Sequence, residues 1–98
     1  MNQSNITLSF KILPHVPEDK LYFFVDKVIR HIQASGIPHL VGPSETTLEG
    51  PWHRLMKLVE ECQDLCIALG APRVSTVIMS DYRPETGVTI DEKASPYR

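Results

Sequence analysis

Nothing in this sequence is in excess, and each shortage removes a class of protein. There are only two cysteines, Cys62 and Cys66, four residues apart. Successive turns of one helix hold such a pair in poor geometry for a disulfide, and two thiols without further ligands make a poor zinc site. They read instead as small apolar side chains on a buried stripe. Neither sign of charge dominates: 12 acidic residues stand against 10 basic ones, a formal net charge of −2. Nucleic-acid binders normally carry a basic surplus that displaces counterions from phosphates, so no nucleic-acid partner is expected. No apolar run exceeds five residues, Leu21-Tyr22-Phe23-Phe24-Val25 among them, whereas a membrane span needs about 20. The opening residues Met1-Asn2-Gln3-Ser4-Asn5 offer neither a basic stretch nor an apolar core for a secretory leader. A cytoplasmic protein with no membrane partner is the expectation.

What remains is the profile of one globular domain over residues 1–98, with 42% apolar and 22% charged residues. A chain of this size and composition buries enough surface for a single core. Asn5 to Leu13 alternates, with Ile6, Leu8, Phe10 and Ile12 on one face and Thr7, Ser9 and Lys11 on the other. That pattern predicts a half-buried strand, ended by Pro14 and Pro17. Pro17-Glu18-Asp19 looks like a helix start, and Leu21, Phe24, Val25, Val28, Ile29 and Ile32 recur at helical spacing until Gly36 closes the helix. Short strands are expected at Ile37–Val41 and Glu45–Glu49. Pro51, in the first helical position, opens a second helix whose stripe is Trp52, Leu55, Met56, Val59, Cys62, Cys66 and Leu69. Gly70 ends it, and Arg73–Asp81 forms a fourth strand. From Tyr82 the chain turns polar and is broken by Pro84, Gly87 and Pro96, with Val88-Thr89-Ile90 its one apolar-rich segment.

The order β-α-β-β-α-β, joined by right-handed crossovers, predicts an α+β ferredoxin-like sandwich: a four-stranded antiparallel sheet with two helices on one face. Such a sheet has one open side, yet the fourth strand is apolar on both, with Val74 and Ile78 pointing one way and Val77 and Met79 the other. Self-association over the open side is the expected consequence.

Catalytic signatures are missing. The sequence contains no phosphate-cradling glycine loop, nucleophile elbow or H-E-x-x-H. Glu45 and Glu49 share a strand side but stand roughly 13 Å apart along it, too far for paired carboxylate catalysis. His15, His31, His39 and His53 are scattered over different elements, which predicts no metal site. The segment that departs from plain fold-making is Gly42 to Gly50, which supplies Ser44, Thr46 and Thr47 as hydroxyls and Glu45 and Glu49 as carboxylates. Ser80-Asp81-Tyr82-Arg83 forms a second polar cluster. Both could line a pocket for a small polar aromatic ligand, because carboxylates and hydroxyls satisfy the ring nitrogens and amine of an aminopyrimidine. Equally, threonine is a good strand residue, and Asp81 and Arg83 could simply pair at the surface.

Taken in order, these segments resemble the UPF0045 thiamine-binding proteins, a family related to the repeats of the bacillus hydroxymethylpyrimidine/thiamine-binding proteins. The similarity lies in the early strand ending at Pro14, in Thr46-Thr47-Leu48-Glu49-Gly50 (T-x-x-E-G) and in Gly70-Ala71-Pro72-Arg73-Val74-Ser75-Thr76 (G-x-x-R-V-x-T). It continues through Asp81-Tyr82-Arg83 (D-x-R) and the later Lys93. The chain departs from the pattern at Ser44-Glu45, where Met-Gly is frequent. The resemblance implies a ferredoxin-like subunit, a homodimer or homotetramer, and binding of thiamine or its hydroxymethylpyrimidine moiety with no catalysis and no cofactor. It places ligand contacts at Thr46 and Glu49, with Asp81 and Arg83 beside them, and the polar segment read above adds the hydroxyls of Ser44 and Thr47. Arg73, Arg83 and Lys93 could instead hold subunits together. The alternative is a structural or regulatory oligomer without a small ligand.

Overall fold

The computed structural model describes residues 3–97, so Met1 and Asn2 of the stretch read for a leader lie outside it. The elements are β1 (Asn5–Pro14), α1 (Glu18–Ala34), β2 (His39–Val41), β3 (Thr46–Pro51), α2 (Trp52–Ala68), β4 (Val74–Asp81) and a short α3 (Ile90–Ala94), followed by a 3-10 turn at Ser95–Tyr97. The strands form one sheet in the order β2-β3-β1-β4, antiparallel throughout. This is the expected ferredoxin-like sandwich with one addition, α3.

Strand alternation decides the two faces. Ile6, Leu8 and Phe10 of β1 stand beside Gly50, Leu48 and Thr46 of β3 and pack under the helices. From α1, Phe24, Val28 and Ile32 close on this layer. Leu55, Leu58, Val59, Cys62 and Cys66 do so from α2. Each fully buried aliphatic side chain here contributes about 1.5–3 kcal/mol relative to exposure. Leu58, absent from the stripe expected for α2, belongs to this core, and Trp52, Met56 and Leu69 lie partly buried at its margin. Both long helices begin one residue after a proline. Pro17 and Pro51 hold φ at −56° and −69° as the N-cap residues, so Pro51 precedes the helix and does not open it. The His31 and Glu61 side chains join α1 to α2 at 2.9 Å.

Two strands are displaced from their expected bounds for local reasons. Pro38 has no N–H for a ladder, so β2 is reduced to His39–Val41, while Ile37 turns into the core and the Pro38 carbonyl accepts from Glu49 N–H at 3.0 Å. The start of β3 is held back to Thr46 because residues 42–45 form a tight turn in which Gly42 N–H donates to the Glu45 carbonyl at 2.8 Å. A Cβ at Gly42 would meet that same carbonyl oxygen at 2.8 Å, which only glycine avoids.

The open side of the sheet carries three rows read from the register. Glu49, Thr7 and Asp81 form one and Leu40, Thr47, Ser9 and Met79 the next. Glu45 (one step past the last paired residues of β3), Lys11 and Val77 form the third. The C-terminal segment lies over the first row. Val88, outside the main core, is completely buried there, its N–H donating to the Asn5 carbonyl at 2.9 Å and its own carbonyl accepting from Asn5 Nδ2 at 2.7 Å. Thr7, on this same side, is only 4% exposed as a result. The remaining rows are bare: Val77 is 59% and Met79 71% exposed.

Candidate functional site

The turn at residues 42–45 forms the lip of a cavity of about 180 Å³ at the end of the sheet. Its floor is Phe10, Ile12 and Thr46, and its far wall is Val25, Val28 and Ile29 of α1. β3 places Thr46 on the helix-facing side, so this hydroxyl borders the apolar interior, while Lys11, Ser44 and Glu45 line the rim. Ser44 and Glu45 stand exposed at the lip. The Glu45 carboxylate folds back toward Gly42, with Oε1 3.8 Å from where a Gly42 Cβ would lie. Across the sheet edge, on the open side, a second depression of about 310 Å³ is lined by Ser9, Lys11, Val77 and Met79, and it shares Phe10, Lys11 and Glu45 with the first. A wider groove between the start of α1 and the end of α2, lined by Phe23, Phe24 and Leu69, is remote from these residues.

The polar residues expected to form one site divide between two places. Ser44 and Thr46 are at the cavity. Thr47 faces the other side of the sheet and exchanges a 2.8 Å hydrogen bond with Ser9. Glu49 is also on that side: residues three apart in a strand point oppositely, so Thr46 and Glu49 do not border a common space. Glu49 Oε1 accepts the Ile90 N–H at 2.6 Å. Asp81 pairs with Lys93, whose Nζ also donates to Thr7 Oγ1 at 3.2 Å. Arg83 donates to both carboxylate oxygens of Glu92 at 3.0 and 3.1 Å. Glu49, Asp81 and Arg83 thus fasten the C-terminal segment of their own chain.

The fastening follows helix-end chemistry. A five-residue helix leaves its first amides without partners. In α3, Thr89 accepts from Glu92 N–H and Glu92 accepts from Thr89 N–H, a reciprocal box. Glu49, from a different element, takes the Ile90 amide. Lys93 holds the Asp81 carboxyl below its usual range by hydrogen bonding and charge, and the Thr89 amide and then Arg83 do the same for Glu92. The thiols move the other way: burial pushes Cys62 up to about 12 and raises Cys66, so neither is a nucleophile at neutral pH. Among the described residues no group of three His, Cys, Asp or Glu side chains could hold a metal ion.

The model of the thiamine-binding protein family matches residues 8–98, nearly the whole chain. The chain belongs to that family. A UPF0045 protein of Clostridium perfringens is 44% identical over the full length of both chains, and one of Mycobacterium bovis is 33% identical over 87% of this chain and 81% of its own. Among solved structures, a domain of unknown function from Bacillus cereus superposes with a TM-score of 0.91 at 44% identity, covering 98% of this chain and 92% of the other. A Thermotoga maritima protein provisionally assigned to thiamine biosynthesis or salvage gives a TM-score of 0.87 at 35% identity, covering 96% and 99%. Membership therefore attaches a thiamine-related role to a fold whose cavity lies beside Thr46. Glu45, one of the two carboxylates read from this segment but not among the contacts the resemblance implies, is the carboxylate at that cavity. The signal that places it there is the glycine-proline turn immediately before it.

Proposed function

We propose that this protein binds thiamine or its hydroxymethylpyrimidine half in the cytoplasm as a homo-oligomer and does not transform it. The observation that carries this reading is the 180 Å³ cavity with an apolar interior, a buried threonine at its floor and Lys11, Ser44 and Glu45 at its open rim. The apolar interior sheds water from a flat ring, and the buried hydroxyl at its floor orients it by one hydrogen bond. Family membership supports the ligand class. The bare rows of the sheet, with Met79, Val77 and Leu40 exposed, support assembly of several copies.

Titration calorimetry with thiamine and with the free hydroxymethylpyrimidine tests the reading, using wild type and Thr46→Val. The substitution keeps the shape and removes the hydroxyl, so affinity falls about tenfold, the worth of one net hydrogen bond, while the melting temperature holds. No heat from either ligand at millimolar concentration overturns the proposal. A second reading, an oligomer without a small ligand, is favoured by the same exposed apolar rows. It predicts that Met79→Glu lowers the mass measured by light scattering and that no ligand restores it.

A further inference from the structure

Resting on the binding reading above, a property of the cavity mouth specifies the ligand further. The cavity's 180 Å³ is below the roughly 300–1,000 Å³ of pockets that enclose whole drug-sized molecules. It takes one ring, and a second ring must leave by the mouth. Glu45 and Lys11 line both the inner cavity and the open-side depression of about 310 Å³, so the two spaces adjoin at the mouth, and the depression offers room for an outgoing ring. Glu45 is the one acidic residue lining either space, and it forms no ion pair among the described residues. Beyond it lie Val77 and the polarizable thioether of Met79, an apolar bed for a ring of low hydration.

We propose that Glu45 is a specificity residue, selecting a ligand whose outer ring is a permanent cation over a neutral single-ring pyrimidine. The inner ring is held by shape and by Thr46 in either case. Only the two-ring ligand places positive charge at the mouth, where the carboxylate attracts it and the Lys11 ammonium opposes it. The two charges come from β1 and from the turn before β3, and they act on the same outgoing group with opposite sign. An exposed charge contact of this kind changes affinity by up to about fivefold, and it fades as salt rises.

Calorimetry on Glu45→Gln and Lys11→Gln, with thiamine as the cationic probe and 4-amino-5-hydroxymethyl-2-methylpyrimidine as the neutral one, tests this. Circular dichroism first establishes that each surface variant is folded. Expected is a loss of about three- to fivefold for thiamine in Glu45→Gln, the neutral pyrimidine staying within about twofold. Lys11→Gln tightens thiamine, and both differences shrink at high salt. Wild type that binds while Glu45→Gln leaves thiamine unaffected, or weakens both probes equally, overturns the role of Glu45 and leaves the binding reading intact. Wild type that binds neither probe overturns both.

Discussion

The sharpest consequence of the two-sided strand concerns Glu49. Its carboxylate receives the Ile90 amide at 2.6 Å, from a backbone group that α3 cannot satisfy internally. Hydrogen bonds to charged acceptors contribute about 1.5–3 kcal/mol, and the low end applies because the site is part-buried and water can replace the lost acceptor. Glu49→Ala should therefore weaken docking of the C-terminal segment by about 1–2 kcal/mol, making its open form roughly 5- to 30-fold more populated. Amide hydrogen exchange resolves this directly. Exchange across residues 88–94 accelerates by that factor, while β1 and α2 keep their protection. Thiamine affinity stays at the wild-type value, since Glu49 lines neither the cavity nor the depression beside it. Unchanged exchange in that segment together with lost ligand affinity would refute the reasoning, because Glu49 would then belong to the ligand and not to α3.

Two further outcomes follow from the charges and thiols. Asp81 and Glu92 have folded values depressed below their ordinary 3.8 and 4.5, so their contribution to docking is complete above those values and is lost as pH falls through the lowered ones. Pepsin should therefore cut within residues 82–97 increasingly from about pH 4.5 downward, before far-ultraviolet circular dichroism reports loss of the sheet. Equal susceptibility at pH 5 and pH 3 would contradict it. Cys62 and Cys66 are fully buried, with Cys62 near 12, so a thiol reagent at pH 8 should modify them only as fast as the domain opens. Reaction within seconds in native buffer would show the core to be looser than its packing indicates.

The sandwich was legible because its signals are local and periodic. Alternation over Ile6–Ile12 and the helical stripes from Phe24 to Ile32 and Leu55 to Cys66 each name their own buried face. The division of Thr46 from Glu49 was legible too, since a strand's period of two separates residues three apart, but the motif T-x-x-E-G draws the eye to them as a unit. The C-terminal segment was not legible. α3 has five residues, too few to form alone; it depends on Glu49, 41 positions earlier, and on Val88 burying itself against Asn5. Contacts of that sequence separation leave no periodic trace. Within its own chain Lys93 meets Asp81 and Thr7, a contact 86 positions apart for Thr7 that no local pattern announces.

Thr7 stands between Glu49 and Asp81 in one row across three adjacent strands, which puts the two acids roughly 10 Å apart. Without Lys93 and the α3 amides, that end of the sheet would present uncompensated negative charge to whatever approached it. Lys93 is thus the local counter-ion of this row, and the segment that carries it is also its cover. Any shortened version ending before Val88 should keep its overall charge balance, because Asp91 and Glu92 leave together with Lys93 and Arg98, yet present a local acidic row with a different preference for neighbours.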